Sequence, residues 1–367
     1  MDSNAEIPGI RDLNDENRRI ADKIFRKQRL SPEEGLRLYQ FPPGILSYLA
    51  ESICQEKHGD KVYYVRNFHL EPTNICAYHC RFCSYSRKEA GDGAWEMTEA
   101  DILRILMEQD PDAAEIHITG GAHPRYGLDD YLSVLKTVRT VRPGIHIKAF
   151  SAVEIYYLST QSGIPAGSIL QLMKENGLDS LPGGGAEIFD PEIRLKICPE
   201  KADGDTWLSI HEHAHKMGIP SNATMLYGHL ESLHHRISHM TLLRELQDRS
   251  GGFNAFIPLK FRNRNNALSQ LRECSLKDDL INFAVARIYL DNFSHIKAYW
   301  PMLGADHAAL SLHFGADDLD GTIADSTSIY RMAGVNQTPS MSVEDIREMI
   351  TAEGKQAVER DALYQPR

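Results

Sequence analysis

Short apolar segments alternate with longer amphipathic segments along most of this chain, and this alternation limits the fold to very few architectures. The segments typical of β-strands lie at residues 62–70, 115–119, 145–150, 180–182, 222–226, 254–258, 295–299 and 314–317. The segments typical of helices lie at 99–108, 129–141, 167–176, 205–217, 233–249, 278–292 and 303–312. About eight successive strand–helix units predict parallel strands with right-handed crossovers. Because roughly 260 residues match a closed barrel, we expect an α/β fold with a (βα)8 TIM-type barrel.

Helical segments flank the predicted barrel on both sides. Ser31 and Pro32 form a helix start, with Ser31 as the N-cap and Pro32 at the first helical position. Ser342 and Asp345 form a second start signal, similar to a capping box. The predicted parts are an N-terminal helical extension at 1–60, the barrel at 61–322, and a C-terminal helical tail at 323–367 that packs on the barrel surface.

Charge and apolar patterning exclude several classes of function. The formal net charge is -11 at pH 7, whereas nucleic-acid binding requires a basic surface. No apolar run approaches the ~20 residues that span a bilayer, and the acidic, polar N-terminus lacks the apolar core of a signal peptide. Six cysteines in 367 residues do not make a disulfide framework. We expect a cytoplasmic protein that neither binds nucleic acid nor inserts into a membrane.

Cys76, Cys80 and Cys83 lie close together, with the spacing C-x3-C-x2-C. Thiolates are soft ligands that suit iron–sulfur clusters and zinc. An ordinary electron-transfer cluster has four cysteines, so three indicate a cluster with one iron free to bind something else. The alternative is a zinc site completed by a histidine such as His79. Structural zinc sites usually bring their ligands in two pairs, and no second cysteine pair follows.

This stretch, with the aromatic Phe82 directly before the last cysteine, resembles the signature of the radical S-adenosylmethionine superfamily. The resemblance implies that Cys76, Cys80 and Cys83 ligate a [4Fe–4S] cluster whose open iron chelates the methionine moiety of S-adenosylmethionine. It also implies that Tyr78 and Phe82 lie beside the cofactor. A reductant such as flavodoxin or ferredoxin would supply the electron.

The active site of a barrel lies at the carboxyl ends of its strands, so the segments after each strand are candidates for ligand binding. Gly120 and Gly121 follow the second predicted strand, where paired glycines let a ligand approach the backbone closely. The superfamily has Gly-Gly-Glu here and binds the methionine amino group through its backbone, but Ala122 replaces the Glu in this chain. Glu154, after the third strand, is expected to accept hydrogen bonds from ribose hydroxyls, as an acid does in relatives.

Later strand ends supply further candidates. Gly184 lies in a run of three glycines, which suits a bulky ligand pressed against the backbone, and Glu187 would direct a carboxylate into the same space. The segment after the fifth strand resembles the superfamily element in which apolar residues pack on adenine and a glycine is followed three residues later by Glu. The residues assigned to this element are Met225, Tyr227, His229 and Glu231.

Several stretches taken in order resemble the aminodeoxyfutalosine synthase family of the futalosine route to menaquinone. These stretches are 148–155, 177–188, 197–199, 221–231, 256–259 and 315–322. The resemblance implies a radical S-adenosylmethionine transferase in which the 5′-deoxyadenosyl radical adds to 3-[(1-carboxyvinyl)oxy]benzoate. Rearrangement and loss of the carboxyl group then give 6-amino-6-deoxyfutalosine, with S-adenosylmethionine as a co-substrate.

Both carboxylates of such a substrate require cations. Lys148, Arg262 and Lys297 are the candidates, and Asp317 is one of three carboxylates expected near the barrel mouth after the eighth strand. Two sibling families, cyclic dehypoxanthine futalosine synthase and the deazaflavin-forming enzymes, share the cluster and are alternatives. A non-catalytic zinc-binding protein is a remote alternative. His211 to His215 formally match H-E-x-x-H, but the predicted helix belongs to the outer ring and no third ligand is evident.

Overall fold

The computed structural model describes residues 13–324, 329–334 and 340–367 of the chain. The beginning of the predicted N-terminal extension, at 1–12, and parts of the predicted C-terminal tail, at 325–328 and 335–339, lie outside the described residues. None of the helices in the described ranges has both the length and the apolar character required to cross a membrane.

Three helices precede the barrel, as predicted. They are α1 (Asp15–Phe25), α2 (Pro32–Leu38) and α3 (Pro43–His58). Ser31 caps α2 in a capping box with Glu34, and Pro32 occupies its first turn. Buried leucines of α2 and α3 pack these helices onto the outer helix ring of the barrel.

Parallel strands form the wall of the barrel. The strands of the described chain are β1 (Lys61–Val65), β2 (Asn67–Leu70), β3 (Glu115–Ile118), β4 (His146–Ala149), β5 (Ser221–Tyr227), β6 (Phe253–Lys260), β7 (His295–Ile296), β8 (Asp318–Gly321) and β9 (Gln356–Glu359). Ladders join β2 to β3 to β4, and β5 to β6 to β7. Single bridges through residues 180–181 connect β4 to β5, and another connects β7 to β8. The His69 amide donates to the Ile323 carbonyl (3.1 Å), which closes the eight-membered ring.

Most of the remaining helices cover the outside of this ring, whereas the two short helices at 300–303 and 329–332 lie at its carboxyl end. The remaining helices are α4 (Glu99–Glu108), α5 (Leu128–Val141), α6 (Ala152–Ser162), α7 (Ala166–Glu175), α8 (Pro191–Ile197), α9 (Gly204–Lys216), α10 (Leu233–Ser250), α11 (Leu276–Tyr289), α12 (Trp300–Leu303), α13 (Ala305–Ser311), α14 (Ile329–Met332) and α15 (Val343–Ala352). Side chains that point outward from the strands pack against them in one continuous apolar cluster. The (βα)8 barrel expected from the alternation is therefore confirmed, with the N-terminal helices and the C-terminal helix α15.

Several elements differ from the sequence-based expectation. The first predicted strand is divided at Arg66 into β1 and β2, and the pairing register of β1 with β8 shifts between Tyr63 and Val65. Residues 180–182 make only isolated bridges. The short helices α6 and α8 were not predicted, although Ser151 and Glu154 form a capping box at the start of α6.

The end of the chain contacts the barrel more extensively than predicted. The tail after Gly354 was expected to lie on the surface, but β9 pairs in parallel with β1. The Arg360 side chain that follows is buried, and its Nε donates to Asp318 Oδ2 (2.7 Å). β1 has β8 on one edge and β9 on the other, so β9 extends the sheet beyond the eight-membered ring.

Candidate active site at the carboxyl ends of the strands

The cysteine loop follows β2, and backbone hydrogen bonds within the loop hold its conformation. The Cys76 amide donates to the Arg87 carbonyl (3.0 Å), and the Arg87 amide donates to the Asn74 carbonyl (2.8 Å). These two bonds fix both ends of the segment that carries the three cysteines. The loop is therefore a preformed element at the carboxyl end of the barrel.

The glycine pair after β3 lies directly against this loop. A Cβ on Gly121 would approach the Ile75 carbonyl oxygen to 2.1 Å, and one on Gly120 would approach the Thr73 oxygen to 2.9 Å. The Gly121 amide donates to the Thr73 carbonyl (2.8 Å). Contact with the cysteine loop is thus one reason for these glycines, in addition to the ligand contact expected from the sequence.

Cys76, Cys80 and Cys83 line one cavity of about 160 Å³, together with Tyr78, Gly120, Gly121 and Glu154. Amide groups point at two of the sulfurs, because Tyr78 N lies 3.4 Å from Cys76 Sγ and Ser86 N lies 3.3 Å from Cys83 Sγ. Burial raises the pKa of the Cys80 thiol to about 12. A bound metal centre would deprotonate these thiols, since coordinated thiols lose their proton outright.

The spacing of the thiols fits a cluster better than a single zinc ion. Among the described residues, the ligand set whose atoms all lie within 4.8 Å of one another is at the other end of the barrel and does not include these cysteines. Sulfurs around one zinc ion would be about 3.8 Å apart. His79, the suggested fourth zinc ligand, is exposed and lies beside Glu200, with Nδ1 3.3 Å from the carboxylate. The donor set therefore suits an iron–sulfur cluster, whose ligands are bound to different iron atoms.

Lys201 is a site residue that the sequence analysis missed. Its Nζ lies 2.8 Å from Glu187 Oε1 and 5.2 Å from the centre of the Phe82 ring, and it lines the thiol cavity. Burial opposes its charge, but the attraction of Cys80 and then Glu187 raises the pKa of Lys201 well above its ordinary value. A cation held beside the thiols can bind the carboxylate of an amino-acid ligand. The sequence signal that pointed to Lys201 was its position shortly after the irregular segment that carries Glu187.

Glu154 lies at the floor of the thiol cavity, where it caps α6. Its Oε2 accepts from the Ser151 amide (2.7 Å) and the Ser151 hydroxyl (2.8 Å). Burial raises the pKa of Glu154 to about 7, although these hydrogen bonds act in the opposite direction. Tyr78 packs beside it in a small apolar cluster with Ala122, Val153 and Tyr157.

A second cavity of about 310 Å³ extends from the thiols into the barrel. Cys83, Tyr85, Thr119 and Gly184 line both cavities, so the two spaces adjoin. The charged groups that line the larger cavity are Glu115, Lys148, Glu187, Lys260, Arg262, Lys297 and Asp320. The larger cavity therefore contains all three cations that the sequence analysis singled out for the substrate.

These cations have carboxylate partners. Lys148 Nζ lies 2.6 Å from Glu115 Oε2, and Lys297 Nζ lies 3.1 Å from Asp320 Oδ1. Burial alone would raise the pKa of Glu115, but the attraction of Lys148 lowers it well below the usual value. Burial lowers the pKa of Lys148, and the attraction of Glu115 opposes that change. Arg262 lies nearer the surface, with Nη1 3.4 Å from Glu273 Oε2.

His117 and two polar residues of β5 complete the wall of the larger cavity, and none of them was predicted. The Nε2 atom of His117 is buried and has no hydrogen-bond partner among the described residues. Burial lowers the pKa of His117 well below its ordinary value, so its imidazole is neutral. Asn222 and Thr224 point inward from β5. These inward positions could have been inferred from the sequence only if the alternation of inward- and outward-facing residues along β5 had been assigned correctly.

Five predicted site residues lie outside both cavities. Met225 and Tyr227 alternate with the inward-facing Thr224 and Leu226 and therefore face the helices. The Tyr227 hydroxyl donates to Asp279 Oδ1 of α11 (2.9 Å). These two residues are thus not placed to pack on adenine in the barrel.

The remaining three have structural partners. Glu231 accepts hydrogen bonds from the Gly228 amide (2.6 Å) and the His229 amide (2.8 Å), and it pairs with Arg236. His229 Nε2 lies 3.1 Å from the Leu226 carbonyl, so both residues fix the turn after β5. Asp317 precedes β8 rather than following it, because Gly315 adopts a left-handed backbone (φ 89°) that moves the strand to Asp318. Its carboxylate lies at the opposite end of the barrel from the thiols.

The two histidines of the H-E-x-x-H match also have structural roles. His211 Nδ1 and His215 Nε2 each lie 2.8 Å from the hydroxyl of Ser221, at the amino end of β5. They therefore tie α9 to the barrel wall, as expected for residues of the outer ring.

A parallel barrel with three thiols at its carboxyl end and an adjoining polar cavity defines a class of cofactor-dependent enzyme. A family model described as "Radical SAM superfamily" matches residues 70–243, and one described as "CofH/MqnC C-terminal region" matches residues 250–367. The chain belongs to the radical S-adenosylmethionine superfamily and is an enzyme. This membership implies an iron–sulfur cluster and S-adenosylmethionine.

Two kinds of relative span nearly the whole chain. The chain is 42% identical over 353 residues to aminodeoxyfutalosine synthase of Thermus thermophilus, covering 94% of each protein, and 34% identical to that of Streptomyces coelicolor, covering 95% of this chain and 93% of the relative. It is also 36% identical to 5-amino-6-(D-ribitylamino)uracil–L-tyrosine 4-hydroxyphenyl transferase of Methanoculleus marisnigri, covering 95% of this chain and 96% of the relative.

Solved structures share the fold. Methylornithine synthase (PylB) superposes with a TM-score of 0.74 at 16% identity, covering 92% of this chain and 97% of that one. The FeFe-hydrogenase maturase HydG from Carboxydothermus hydrogenoformans superposes with a TM-score of 0.73 at 17% identity, covering 97% of this chain and 82% of that one. At this level of identity the likeness concerns the fold alone.

Proposed function

We propose that this enzyme transfers the adenosyl group of S-adenosylmethionine to 3-[(1-carboxyvinyl)oxy]benzoate and forms 6-amino-6-deoxyfutalosine in menaquinone biosynthesis. The observation that carries the proposal is the pairing of the thiol cavity with a larger cavity that contains Lys148, Lys297 and Arg262. The relative at 42% identity, named aminodeoxyfutalosine synthase, supports the choice of reaction.

Cys76, Cys80 and Cys83 would hold a [4Fe–4S] cluster, and their position on a loop fixed at both ends, around one cavity, supports this role. When bound, the cluster supplies the electron that cleaves S-adenosylmethionine to methionine and the 5′-deoxyadenosyl radical. Lys201 would pair with the methionine carboxylate, since its ammonium group already lies among the thiols and Glu187. Glu154 and Tyr78 line the same cavity and would contact the nucleoside.

The larger cavity would hold the enol ether. Lys148 and Lys297 lie on its wall, and their ammonium groups can donate to a substrate carboxylate while keeping their protein partners. Arg262 lies nearer the surface and would hold the second carboxylate. Gly184 lines both cavities, and a Cβ there would be no closer than 3.8 Å to another atom, so its position leaves the passage open. The barrel wall surrounds this space and would shield a reactive carbon radical from side reactions.

The test is a product analysis under anaerobic conditions with reconstituted cluster, dithionite and isotopically labelled S-adenosylmethionine. We expect a product that contains both the labelled adenosyl group and the benzoate ring. Cys80→Ser should abolish this product, whereas Cys54→Ser, a buried cysteine of α3 far from the loop, should retain it. Release of free 5′-deoxyadenosine in place of an adduct would contradict the proposal and would favour a cyclase of the cyclic dehypoxanthine futalosine synthase type.

A second candidate is transfer of a 4-hydroxyphenyl group, as in the name of the Methanoculleus marisnigri relative. The similar identity over nearly the whole chain is the observation that favours it. The same assay with L-tyrosine and 5-amino-6-(D-ribitylamino)uracil separates the two candidates. Turnover with this pair, and none with the enol ether, would establish the second reaction.

We also propose that an acidic one-electron carrier, such as flavodoxin or ferredoxin, docks beside the cysteine loop. Exposed cations flank the loop: Arg81 Nη1 donates to the Lys196 carbonyl (3.2 Å), and the Ser84 hydroxyl donates to the Arg264 carbonyl (2.6 Å). Lys196→Glu should lower turnover several-fold with the protein carrier but not with dithionite. Lys136→Glu, an exposed lysine of α5, is the control. An equal loss with dithionite would contradict this docking site.

A further inference from the structure

Two histidines and a carboxylate converge at the end of the barrel opposite the thiols. His58 is the last residue of α3, His295 begins β7, and Asp317 directly precedes β8. Their imidazole rings are stacked, with centroids 4.7 Å apart. In the described part of the chain, they form the set of potential metal ligands whose donor atoms all lie within 4.8 Å of one another.

The two oxygens of Asp317 have separate partners. Oδ1 accepts from the Ile296 amide (2.8 Å) and from the guanidinium of Arg287. Oδ2 faces the histidines, 2.5 Å from His295 Nδ1 and 3.4 Å from His58 Nε2. One oxygen is therefore oriented by the surrounding protein while the other is presented to two ring nitrogens, as in metal sites whose carboxylate ligand is held by further hydrogen bonds.

We propose that His58 Nε2, His295 Nδ1 and Asp317 Oδ2 bind one zinc ion that ties α3 to β7 and β8. Two imidazoles and a carboxylate are a zinc donor set. A water molecule would complete the coordination, since the Ser294 carbonyl beside His58 Nε2 (2.8 Å) already accepts from Arg287 Nη1 (2.9 Å). This site is independent of the proposed reaction, because it lies at the far end of the barrel from both active-site cavities.

Metal binding requires two adjustments. His58 Nε2 must give up its hydrogen bond to the Ser294 carbonyl, with its proton moving to Nδ1 of the same ring, and one ligand distance must open. Ligand atoms about 2.05 Å from a tetrahedral zinc ion are about 3.3 Å apart. The 3.4 Å between Asp317 Oδ2 and His58 Nε2 already matches this distance. The 2.5 Å between Oδ2 and His295 Nδ1 is a hydrogen bond, and it must open by about 0.8 Å when the metal replaces the proton. That proton moves to the other ring nitrogen, so the imidazole stays neutral.

Arg287 limits the affinity without occupying the site. Its guanidinium is fully buried and pairs with Oδ1, so a cation at Oδ2 is repelled by a nearby positive charge. We therefore expect binding that is weaker than that of a structural zinc site with thiolate ligands. The Tyr364 ring stacks on His295 with centroids 3.6 Å apart, so the bound ion would also fix the chain end.

The experiment uses the full chain with its cluster already reconstituted, so that the cysteines are occupied. After equilibration with one equivalent of Zn²⁺ and desalting, zinc and iron per chain are measured, together with Tm with and without zinc. We expect one zinc per chain, unchanged iron, and a Tm raised by zinc, since binding to the folded state stabilises it. His58→Gln and His295→Gln should each lower bound zinc at least tenfold and remove the Tm rise.

His213→Gln, an exposed histidine of α9, is the control and should bind zinc as the parent chain does. Iron content and the Tm measured without zinc report whether each variant is folded. Absence of zinc from the parent chain would overturn the proposal. Zinc binding by His58→Gln or His295→Gln equal to that of the parent chain would overturn it as well. So would zinc binding accompanied by loss of iron.

Discussion

At the scale of single residues, Glu154 is the carboxylate most sensitive to pH. Its pKa is raised from 4.5 to about 7 by burial, so the folded state binds its proton more tightly than the unfolded chain does. The stability that this proton confers is fully present below about pH 4.5 and is lost as the pH rises through 7. We expect Glu154→Gln, which keeps an oxygen for the Ser151 cap, to gain stability relative to the parent as the pH rises.

The gain should be on the order of 3 kcal/mol between pH 5 and pH 8, because one pKa unit corresponds to about 1.36 kcal/mol. Urea unfolding of both proteins across this range, without S-adenosylmethionine, measures it. Asp130→Asn, an exposed carboxylate in the first turn of α5, serves as the comparison and should show no such trend. A difference between parent and Glu154→Gln that is constant with pH would refute the assignment.

The buried pair of Lys148 and Glu115 has both a structural and a proposed functional role, and two variants separate them. Lys148→Met leaves the Glu115 carboxylate without its nearest cation, which should cost about 3–5 kcal/mol of stability. The double variant Glu115→Gln, Lys148→Met removes both charges and should recover much of that loss. If Lys148 binds a substrate carboxylate, KM should stay raised about tenfold or more in the double variant. A normal KM there would show that Lys148 acts only through Glu115.

Some residue roles were accessible from sequence and others were not. The spacing of Cys76, Cys80 and Cys83 required a common loop, and the structure places their side chains in one cavity. Met225 and Tyr227 were assigned to the wrong face of β5, although the polar Asn222 and Thr224 alternate with Ala223 and Met225 and mark the inward face of this strand. Lys201 was missed, since a lysine near Glu187 in sequence is a weak signal and its position beside Phe82 depends on how the loop between α8 and α9 folds back.

At the scale of elements, the contact between the glycine pair and the cysteine loop makes a sharp prediction. Gly121→Ala would place a Cβ 2.1 Å from the Ile75 carbonyl oxygen, so the two loops cannot keep their positions. We expect a large loss of cluster content, read from iron per chain and visible absorbance after reconstitution. Gly184→Ala is the matched control, because its Cβ meets nothing closer than 3.8 Å. It should take up the cluster normally, and a full cluster in Gly121→Ala would contradict the role of this contact.

Element boundaries were predictable where a local signal was strong. Ser31, Thr98 and Ser342 start helices through capping boxes that depend only on neighbouring residues. The strand at 180–182 was less accessible, since its pairing consists of isolated bridges fixed by tertiary contacts. The eighth strand was placed too early because the left-handed Gly315 delays it, and a glycine alone does not reveal its φ angle.

At the scale of the whole molecule, Arg360 joins the chain end to the barrel. Both Nε and Nη2 of Arg360 lie 2.7 Å from Asp318 Oδ2, and both residues are buried. Arg360→Met should destabilise the protein by about 3–5 kcal/mol, because it leaves the Asp318 carboxylate buried with its main cation removed. Arg347→Met is the control: Arg347 is 54% exposed and 3.7 Å from Glu359, so it should cost less than about 1 kcal/mol. Equal midpoints in urea for the two variants would argue against this role.

The barrel as a whole followed from the alternation of the sequence, whereas the attachment of its last strand did not. The pairing of β9 with β1 joins residues about 300 positions apart, and no local pattern encodes a contact of that range.

The sharing of Cys83, Tyr85, Thr119 and Gly184 by the two cavities has an evolutionary consequence. Most of the residues that would generate the radical line one compartment, and most of those that would select its target line the other. Substitutions deep in the larger compartment can therefore alter the acceptor while the initiating chemistry is inherited unchanged. The chain has relatives of similar identity whose names describe different reactions. At the few shared positions, a substitution that changes the acceptor would also affect formation of the radical.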